Sequence, residues 1–528
     1  MATCVLIITL LTVKTVLSEQ NPNFTFPKDF KIGAATASYQ IEGAWNVDGK
    51  GVSIWDKFTH DNPERISDRS NGDDAAKSYY KYKEDIKSVK DMGMDFYRFS
   101  ISWPRIMPDG LPNNINKKGI DYYNDVINEV LKNDLFPLVT MFHWDLPQYL
   151  QDLGGWLNEE IVVYFEAYAK VLYECYGDRV KWWLTLNEPG SAVMGYETDM
   201  LAPGINASGI GYYLAAHNML KAHARAFRLY QRKYRDKQNG KISFSTPVQW
   251  ATPLNQNSSD DIDAAELFME FNVALFDDPV YSQTGDYPQK VKDRVGNFSM
   301  KQGFPKSRLP SFTKEEVEYV KGSADYYALN EYSTMLIKKA DGGEDTPSML
   351  TDAGIEVYIP TQWPQSKGST WETIAPKSIR QIINWITHRY GKKWDIFITE
   401  NGYSDKGKLQ DKCRIDYLAT YMVEVLKAMY IDDCPVIGYT VWSLIDNYEW
   451  ADGYTSKFGL YHVDFNDEDR KRTPKQSSYF MANVTKTKRI PQEYAKLEKS
   501  LAEMETSPAY RRKATSMKDL RKVPTYNN

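Results

Sequence analysis

Cysteine is scarce in this chain: only four occur among its 528 residues. One of them, Cys4, lies in an N-terminal segment that we expect to be removed, which leaves Cys175, Cys413 and Cys434. The residues between Cys413 and Cys434 have the pattern of one helix, about 30 Å long at ~1.5 Å per residue, whereas a disulfide needs Cα atoms within about 7 Å. We therefore expect three free thiols, and a disulfide-stabilised scaffold is excluded.

The chain has no excess of positive charge and no long hydrophobic run. Its formal net charge is −5, its pI is near 5.9, and acidic and basic residues are interspersed. Nucleic-acid binding requires a basic surface, so no nucleic-acid partner is predicted. No segment reaches the ~18 apolar residues of a membrane-spanning helix, so no transmembrane segment is predicted.

The motifs of several enzyme classes are absent as well. The sequence contains no G-x-x-x-x-G-K-S/T, G-x-G-x-x-G, H-E-x-x-H or G-x-S-x-G. These patterns mark phosphate binding, dinucleotide binding, zinc proteolysis and α/β-hydrolase chemistry. No cysteine follows a predicted strand, so a thiol enzyme is also disfavoured.

The N-terminus indicates export. Residues 4–13, CVLIITLLTV, form an apolar run of about ten residues, too short to span a bilayer but typical of a secretory signal peptide. We predict that residues 1–18 are a signal peptide and that the protein is secreted, for example into a digestive lumen, or kept in a secretory compartment. Five Asn-x-Ser/Thr sequons agree with this route and predict a glycoprotein: Asn23, Asn206, Asn257, Asn297 and Asn483.

Eight strand-like segments alternate with helix-like stretches. The segments are FKIGAATASYQ, DFYRFSISW, FPLVTMFHW, VKWWLTLNEP, KISFSTPVQW, DYYALNEYS, WDIFITENG and VIGYTVWSL. Each is apolar, β-branched or aromatic in its middle, as in parallel strands buried on both faces. This order predicts an α/β fold with a single (β/α)8 TIM barrel over residues 19–491. A doubly wound open sheet is the alternative.

Polar residues follow seven of these strands. The active site of such a barrel is built at the C-terminal ends of its strands, so these residues are expected to meet at one mouth. With the tryptophans beside them, they are Gln40, Arg98, His143, Trp144, Asp145, Asn187, Glu188, Asn330, Tyr332, Glu400, Asn401, Trp442, Glu449 and Trp450.

Two glutamates, Glu188 and Glu400, each lie at a strand end beside an asparagine. Cleavage of a glycosidic bond requires such a pair: one carboxyl protonates the departing oxygen, and the other attacks the anomeric carbon or activates water. Aromatic side chains near other strand ends offer flat faces for a pyranose. The segment DNYEWADGY is too polar and turn-rich to be expected in the interior.

At this point the chain is identified as a member of glycoside hydrolase family 1, the β-glucosidase family. It most resembles the secreted animal members, including insect β-glucosidases and myrosinase-like relatives. The resemblance extends from about Phe26 to Pro491 through FKIGAATASYQIEGAW, YRFSISWPRI, HWDLP, TLNEP, ITENG and GYTVWSLIDNYEWADGYTSKFGLYHVDF. It implies a TIM barrel that hydrolyses small-molecule β-glycosides with retention and uses no metal or other cofactor.

The resemblance also assigns roles. Glu188 becomes the general acid/base and Glu400 the nucleophile, about 5–5.5 Å apart. Arg98, Asn330 and Tyr332 are expected to support the nucleophile. Trp371 is implied as the platform for the leaving group. The implied glycone-binding residues are Gln40, His143, Asn187, Trp442, Glu449, Trp450 and Phe458.

Two segments depart from the family pattern. Lys377 and Ser378 follow Pro376 where Pro-Glu-Gly is common, and Glu331 stands where an apolar or aromatic residue or His is usual. Glu331 is interpreted either as facing the leaving group or as a solvated loop charge.

Several functional alternatives stay open. Preference for glucosides over galactosides or fucosides is not decided by the pocket residues. An insect-type myrosinase, which is a thioglucosidase acting on glucosinolates, is the second reading, and a catalytically inactive sugar-binding relative is the third. A homodimer is compatible with the sequence. Residues 492–528 form a basic C-terminal tail that is expected to be solvated, with surface attachment through Arg511, Arg512 and Lys513 as the alternative.

Overall fold

The computed structural model describes residues 24–340, 346–497 and 515–516. The predicted signal peptide, the sequon at Asn23 and most of the predicted basic tail lie outside these ranges. The boundaries predicted for these segments therefore stay predictions.

Eight parallel strands close into a barrel in the order β1-β11-β10-β7-β5-β4-β3-β2. Each of the eight predicted segments supplies one of them, which confirms the TIM barrel and excludes the open sheet. The strands of the described chain are β1 Lys31–Ala35, β2 Phe96–Ser100, β3 Phe136–Phe142, β4 Trp182–Asn187, β5 Lys241–Pro247, β6 Trp250–Pro253, β7 Tyr327–Asn330, β8 Thr334–Lys339, β9 Ile355–Ile359, β10 Ile396–Asn401, β11 Val436–Trp442, β12 Tyr461–Val463, β13 Arg472–Pro474 and β14 Thr515–Ser516.

Helices lie between the strands along the chain. The longer α-helices are Ile54–Asp61, Ser78–Asp91, Lys117–Lys132, Ile161–Tyr176, Gly211–Lys233, Ser259–Met269, Gln289–Lys301, Lys377–Tyr390, Lys412–Tyr430 and Gln476–Thr487. The shorter ones are Ser38–Ile41, Trp103–Ile106, Gln148–Asp152, Pro189–Ala192, Met194–Glu197, Arg235–Gln238, Leu275–Tyr281, Lys314–Val320 and Met349–Ala353. Single 3₁₀ or π turns are Pro63–Arg65, Gly155–Leu157, Glu270–Ala274 and Trp450–Asp452.

Side chains fill the barrel interior. Phe96, Leu138, Leu184, Ala328 and Phe397 come from five different strands and form one buried cluster. Phe96 and Phe397 meet edge to face, with ring centroids 5.3 Å apart. The barrel is therefore a packed core rather than a pore, and a ligand must bind at its mouth.

The helices bury one face against the barrel. In the helix Lys117–Lys132, residues Tyr123, Val126, Ile127 and Val130 are buried. This spacing of three and four residues places them on one stripe. Asn116 caps the helix by accepting a hydrogen bond from the Lys118 amide.

A second sheet extends from the mouth of the barrel. Its order is β14-β9-β8-β6. The segment KISFSTPVQW was interpreted as one strand, but its barrel strand ends at Pro247 and Trp250 begins β6. Thr515 and Ser516 pair antiparallel with β9. These two residues of the predicted tail are thus bound to an edge strand, whose free backbone groups offer a partner.

Cys175, Cys413 and Cys434 are free, as predicted. Cys413 lies in the first turn of the helix Lys412–Tyr430, and Cys434 lies beyond its last turn. Across the described residues, every helix is too short or too polar to cross a membrane.

Candidate active site

One hydrogen-bond network joins the middle of β2 to the C-terminal ends of β4, β7 and β10. Its members are Arg98, Asn187, Asn330 and Glu400, and each was predicted from a separate segment of sequence. Barrel closure brings these ends together because all the strands are parallel.

Glu400 is a buried carboxylate with a partner for each oxygen. Its side chain is 5% exposed. Arg98 Nη1 donates to Oε1 at 2.6 Å, and the Tyr332 hydroxyl donates to Oε2 at 2.7 Å. Burial, followed by the charge of Glu400, raises the pKa of Tyr332 well above its ordinary value, so the phenol remains a donor. These contacts stabilise the ionised carboxylate and fix its orientation.

Arg98 is itself held rigidly. It is 1% exposed, and its Nη1 also donates to the carbonyl of Thr399 at 2.8 Å. Nη2 donates to Asn187 Oδ1 at 2.7 Å, and Nε donates to Thr140 Oγ1 at 3.3 Å. A buried cation whose donors are used in this way cannot turn away from Glu400 without losing several hydrogen bonds at once.

Glu188 has a different environment. It follows β4 with a left-handed backbone (φ +46°) and precedes the helix Pro189–Ala192. Asn330 Nδ2 donates to Oε1 at 2.8 Å, and Ser191 Oγ donates to Oε2 at 2.8 Å. Burial, followed by the charge of Glu400, raises the pKa of Glu188 to about 7. No cation corresponding to Arg98 donates to it among the described residues.

The two carboxyl groups are joined through amides. Asn330 Nδ2 also donates to Asn187 Oδ1 at 3.1 Å, and Asn187 is bonded to Arg98. The connected set therefore runs from Glu188 to Glu400. One carboxyl keeps its proton near neutral pH while the other is paired with a cation, and such a difference separates an acid from a nucleophile.

Two predicted glycone residues have buried polar atoms without a partner in the described chain. Asn187 Nδ2 lies 3.0 Å from His143 Nε2, while His143 Nδ1 is unsatisfied. Gln40 Nε2 donates to the carbonyl of Tyr448 at 2.8 Å, while Gln40 Oε1 is unsatisfied. Buried polar atoms are nearly always satisfied, so these two are candidates for binding sugar hydroxyls.

His143 is neutral. Burial, followed by the positive charge of Arg98, lowers the pKa of His143 well below its ordinary value. Its ring stacks between aromatic neighbours: the ring centroids of Trp442 and Trp450 lie 5.7 Å and 5.9 Å away. A neutral imidazole in this position has one N–H to donate.

The apolar wall of the site is a separate cluster. Trp442 and Phe458 are buried together, and Tyr332 and Trp371 pack against them. Trp371 and Phe458 are stacked with centroids 6.5 Å apart, and Trp371 meets Tyr332 edge to face at 6.0 Å. Trp371, the predicted leaving-group platform, thus lies beside the phenol that contacts Glu400.

Glu449 lies beside Gln40 at the same end of the barrel. Gln40 Nε2 donates to Glu449 Oε2 at 3.4 Å. Burial, followed by the charge of Asp452, raises the pKa of Glu449 well above its ordinary value. A carboxyl in this state both donates and accepts hydrogen bonds, as recognition of adjacent hydroxyls requires.

The structure contradicts one sequence interpretation and excludes one of the two interpretations of Glu331. The segment DNYEWADGY is largely buried, because Asp446 is paired with the buried Lys475 at 2.7 Å and its polar groups are satisfied. Glu331 is fully buried rather than a solvated loop charge. Its carboxylate accepts hydrogen bonds from Ser378 and Asn401. Ser191 was missed; its only sequence signal is its position three residues after Glu188.

Within the described ranges, no group of three or more His, Cys, Asp or Glu side chains is arranged to bind a metal ion.

Comparison with known proteins identifies relatives along nearly the whole length. The sequence profile described as Glycosyl hydrolase family 1 matches residues 23–490. Myrosinase 1 of Brevicoryne brassicae is 49% identical over 465 residues, which is 88% of this chain and 99% of that protein. The cytosolic beta-glucosidase of Homo sapiens is 44% identical over 87% of this chain and 97% of its own length. The solved structure of an aphid myrosinase is 48% identical, has a TM-score of 0.84, and covers 88% of this chain and 100% of its own.

Proposed function

Because the chain belongs to glycosyl hydrolase family 1 and is a glycoside hydrolase, we propose that it hydrolyses terminal β-D-glucosides through a covalent glycosyl-enzyme. One observation carries the proposal: the paired carboxylate Glu400 and the proton-retaining carboxyl Glu188 are linked by one network. The relatives named above include a β-glucosidase.

The reaction has two steps. Glu400 attacks the anomeric carbon while Glu188 gives its proton to the glycosidic oxygen, and the alcohol leaves. With Glu400 esterified, its negative charge is lost and Glu188 is left as a carboxylate. Glu188 then takes a proton from water, which attacks the same carbon and releases the sugar and Glu400. A carboxyl spacing of about 5–5.5 Å is required for the direct attack and stays a prediction.

The glycone is proposed to be glucose, with galactose and fucose as further substrates. Gln40 Oε1 and one His143 nitrogen are the buried groups available to hydroxyls. Trp442 and Phe458 offer an apolar wall, and Trp371 is proposed as the platform for the aglycone.

A thioglucosidase is the second candidate, because Myrosinase 1 of Brevicoryne brassicae is 49% identical to this chain. The raised pKa of Glu188 favours O-glycosides, since an alkoxide leaving group needs a proton more than a glucosinolate thiolate does. A hydrolysis panel of cellobiose, an aryl glucoside, an alkyl glucoside and a glucosinolate separates the two. Turnover of the glucosinolate alone would overturn the O-glucosidase proposal.

Two variants test the roles. Glu400→Ala is expected to abolish turnover of every substrate. Glu188→Ala is expected to spare an aryl glucoside with a good leaving group far more than an alkyl glucoside, because only the alkyl group needs the proton. Equal losses on the two substrates would contradict the assignment. A 2-fluoroglucoside inactivator should label the peptide that contains Glu400, whereas sugar binding without turnover or label would indicate an inactive relative.

We further propose that the protein is a secreted glycoprotein. The apolar segment 4–13 is the basis for export. The side chains of Asn206, Asn257, Asn297 and Asn483 are exposed. Expression in insect cells should give secreted enzyme that lacks residues 1–18 and loses mass with an N-glycosidase. We also propose that the protein forms a homodimer, and light scattering on this material tests that proposal.

A further inference from the structure

The two departures from the family pattern contact each other. Ser378 Oγ donates to Glu331 Oε1 at 2.5 Å, although the residues are 47 positions apart. Both side chains are buried, at 1% and 0% exposure. A carboxylate is expensive to bury, so its partners define what it does.

Glu331 is bound to the backbone around Glu400. It lies between Asn330 and Tyr332, which contact Glu188 and Glu400 respectively. Its amide donates to the carbonyl of Glu400 at 3.0 Å. It therefore fixes the end of β7 against the end of β10 at the residue that is proposed to react.

The carboxylate of Glu331 holds the next residue of β10. Asn401 Nδ2 donates to Glu331 Oε2 at 3.1 Å and to the Glu331 carbonyl at 2.7 Å. The same amide lies 3.0 Å from the hydroxyl of Tyr417, which donates to the carbonyl of Tyr332 at 3.1 Å. These hydrogen bonds link Glu331 through Asn401 and Tyr417 to Tyr332, which is the next residue after Glu331, and so form a closed ring.

The surroundings of the Glu331 side chain favour a hydrogen-bond acceptor at this position. Ser378 lies in the first turn of the 14-residue helix Lys377–Tyr390, whose positive end stabilises a nearby anion. Burial, followed by the charge of Glu331, raises the pKa of Tyr439 well above its ordinary value. The hydroxyl of Tyr439 is thereby kept as a donor to Asn401 Oδ1.

We propose that Glu331, anchored by Ser378, is a positioning residue for the nucleophile. It acts through Asn401 and through the ends of β7 and β10. It keeps the Tyr332 hydroxyl within hydrogen-bonding distance of the Glu400 carboxylate. It does not contact the sugar. The inference rests on the proposed function, in which Glu400 attacks the anomeric carbon.

Trapping with a 2-fluoroglucoside isolates the first step, because the inactivation rate reports attack by Glu400 alone. Glu331→Ala is expected to slow inactivation by about 10- to 100-fold, since a displacement of about 1 Å has effects of this size. Glu331→Gln should stay within about threefold of wild type. Its amide oxygen accepts from Asn401, and its amide N–H donates to the Ser378 hydroxyl, which is able to accept.

Ser378 supplies an independent test of the same idea. Ser378→Ala should slow inactivation by about threefold to tenfold, because the Glu331 carboxylate loses the hydrogen bond that Ser378 donates. In the Glu331→Ala background it should add no further loss, since the two residues act as one unit. Apparent affinity for the inactivator should change by less than about threefold in every variant.

Glu270→Ala is the matched control. Glu270 is also a buried glutamate, and it accepts from Arg389 near the opposite end of the helix that carries Ser378. This variant should lower the melting temperature without slowing inactivation. Equal slowing in Glu270→Ala and Glu331→Ala at similar losses of stability would reduce Glu331 to a structural role.

The outcomes separate the inference from the proposed function. If wild-type enzyme is labelled elsewhere than on Glu400, the proposed function fails. If Glu400 is labelled but Glu331→Ala reacts at the wild-type rate, only the positioning role fails. Should Glu331→Ala not fold, Ser378→Ala carries the test, and a wild-type inactivation rate in that variant overturns the proposal.

Discussion

Replacing Glu400 by glutamine removes one charge from the active site while keeping its shape, and it should change the pKa of Glu188. The pKa of Glu188 is raised to about 7 by burial and by the charge of Glu400. For two carboxylates about 5–5.5 Å apart, Coulomb's law with an effective dielectric constant of about 20 gives roughly 3 kcal/mol. That energy corresponds to about two pH units. Burial is the larger cause, so we expect the pKa of Glu188 to fall by about one to two pH units.

Carbon-13 NMR of glutamate-labelled protein follows this titration directly, with the Glu188 resonance assigned from a Glu188→Gln sample. The control is Glu372→Gln: this buried carboxyl accepts from Ser404, and its charge is not among the causes of the Glu188 shift. This variant should leave the pKa of Glu188 unchanged. An unchanged pKa of Glu188 in Glu400→Gln would refute the electrostatic coupling, and with it the account of how Glu188 becomes a base in the second step.

Three further predictions concern Glu188, Tyr332 and the buried pair of Lys475 and Asp446. Turnover of alkyl glucosides should fall as the pH rises through about 7, where Glu188 loses its proton, and a pH profile of kcat/KM without this limb would contradict its role as the acid. Tyr332→Phe removes the hydroxyl that orients Glu400 Oε2, and a misplacement of about 1 Å costs about 100-fold, so kcat/KM should fall about 10- to 100-fold in steady-state assays; a loss below threefold would contradict this orienting role. Lys475→Met removes the buried ammonium that lies 2.7 Å from Asp446 and should cost about 3–5 kcal/mol in guanidinium unfolding; Asp446 keeps its contacts with His462 and the Gly459 amide, and an unchanged unfolding midpoint would show that these contacts suffice.

The barrel was predictable because its signals are local. Strands buried on both faces appear as continuous apolar runs, such as Phe397 and Ile398 in β10. The intervening helices show a stripe with a period of about 3.6 residues. Turn chemistry was interpreted less well: the end of β5 at Pro247 and the start of β6 at Trp250 were merged, although Pro247 cannot donate to a strand ladder and marks the break.

The burial of polar residues was predicted poorly from the sequence. The segment around Asp446 was not expected in the interior, and a solvated loop charge was one of two interpretations of Glu331. Both are buried because a partner from a distant segment satisfies them: Lys475 for Asp446, and Ser378 for Glu331. A pattern along the chain records the polarity of a residue but not the presence of its partner.

The amino-acid sequence by itself determined the repeating strand and helix pattern, and it marked Glu188 and Glu400 as carboxyl groups at strand ends. These properties depend on neighbours within one segment. The family resemblance implied that Arg98 and Tyr332 support Glu400, but only the tertiary structure decided which oxygen each one contacts, that burial raises the pKa of Glu188, and that Glu331 is hydrogen-bonded beside Glu400. The protonation state and orientation of a side chain depend on burial and on charges within a few ångströms, and barrel closure draws those charges from segments hundreds of residues apart.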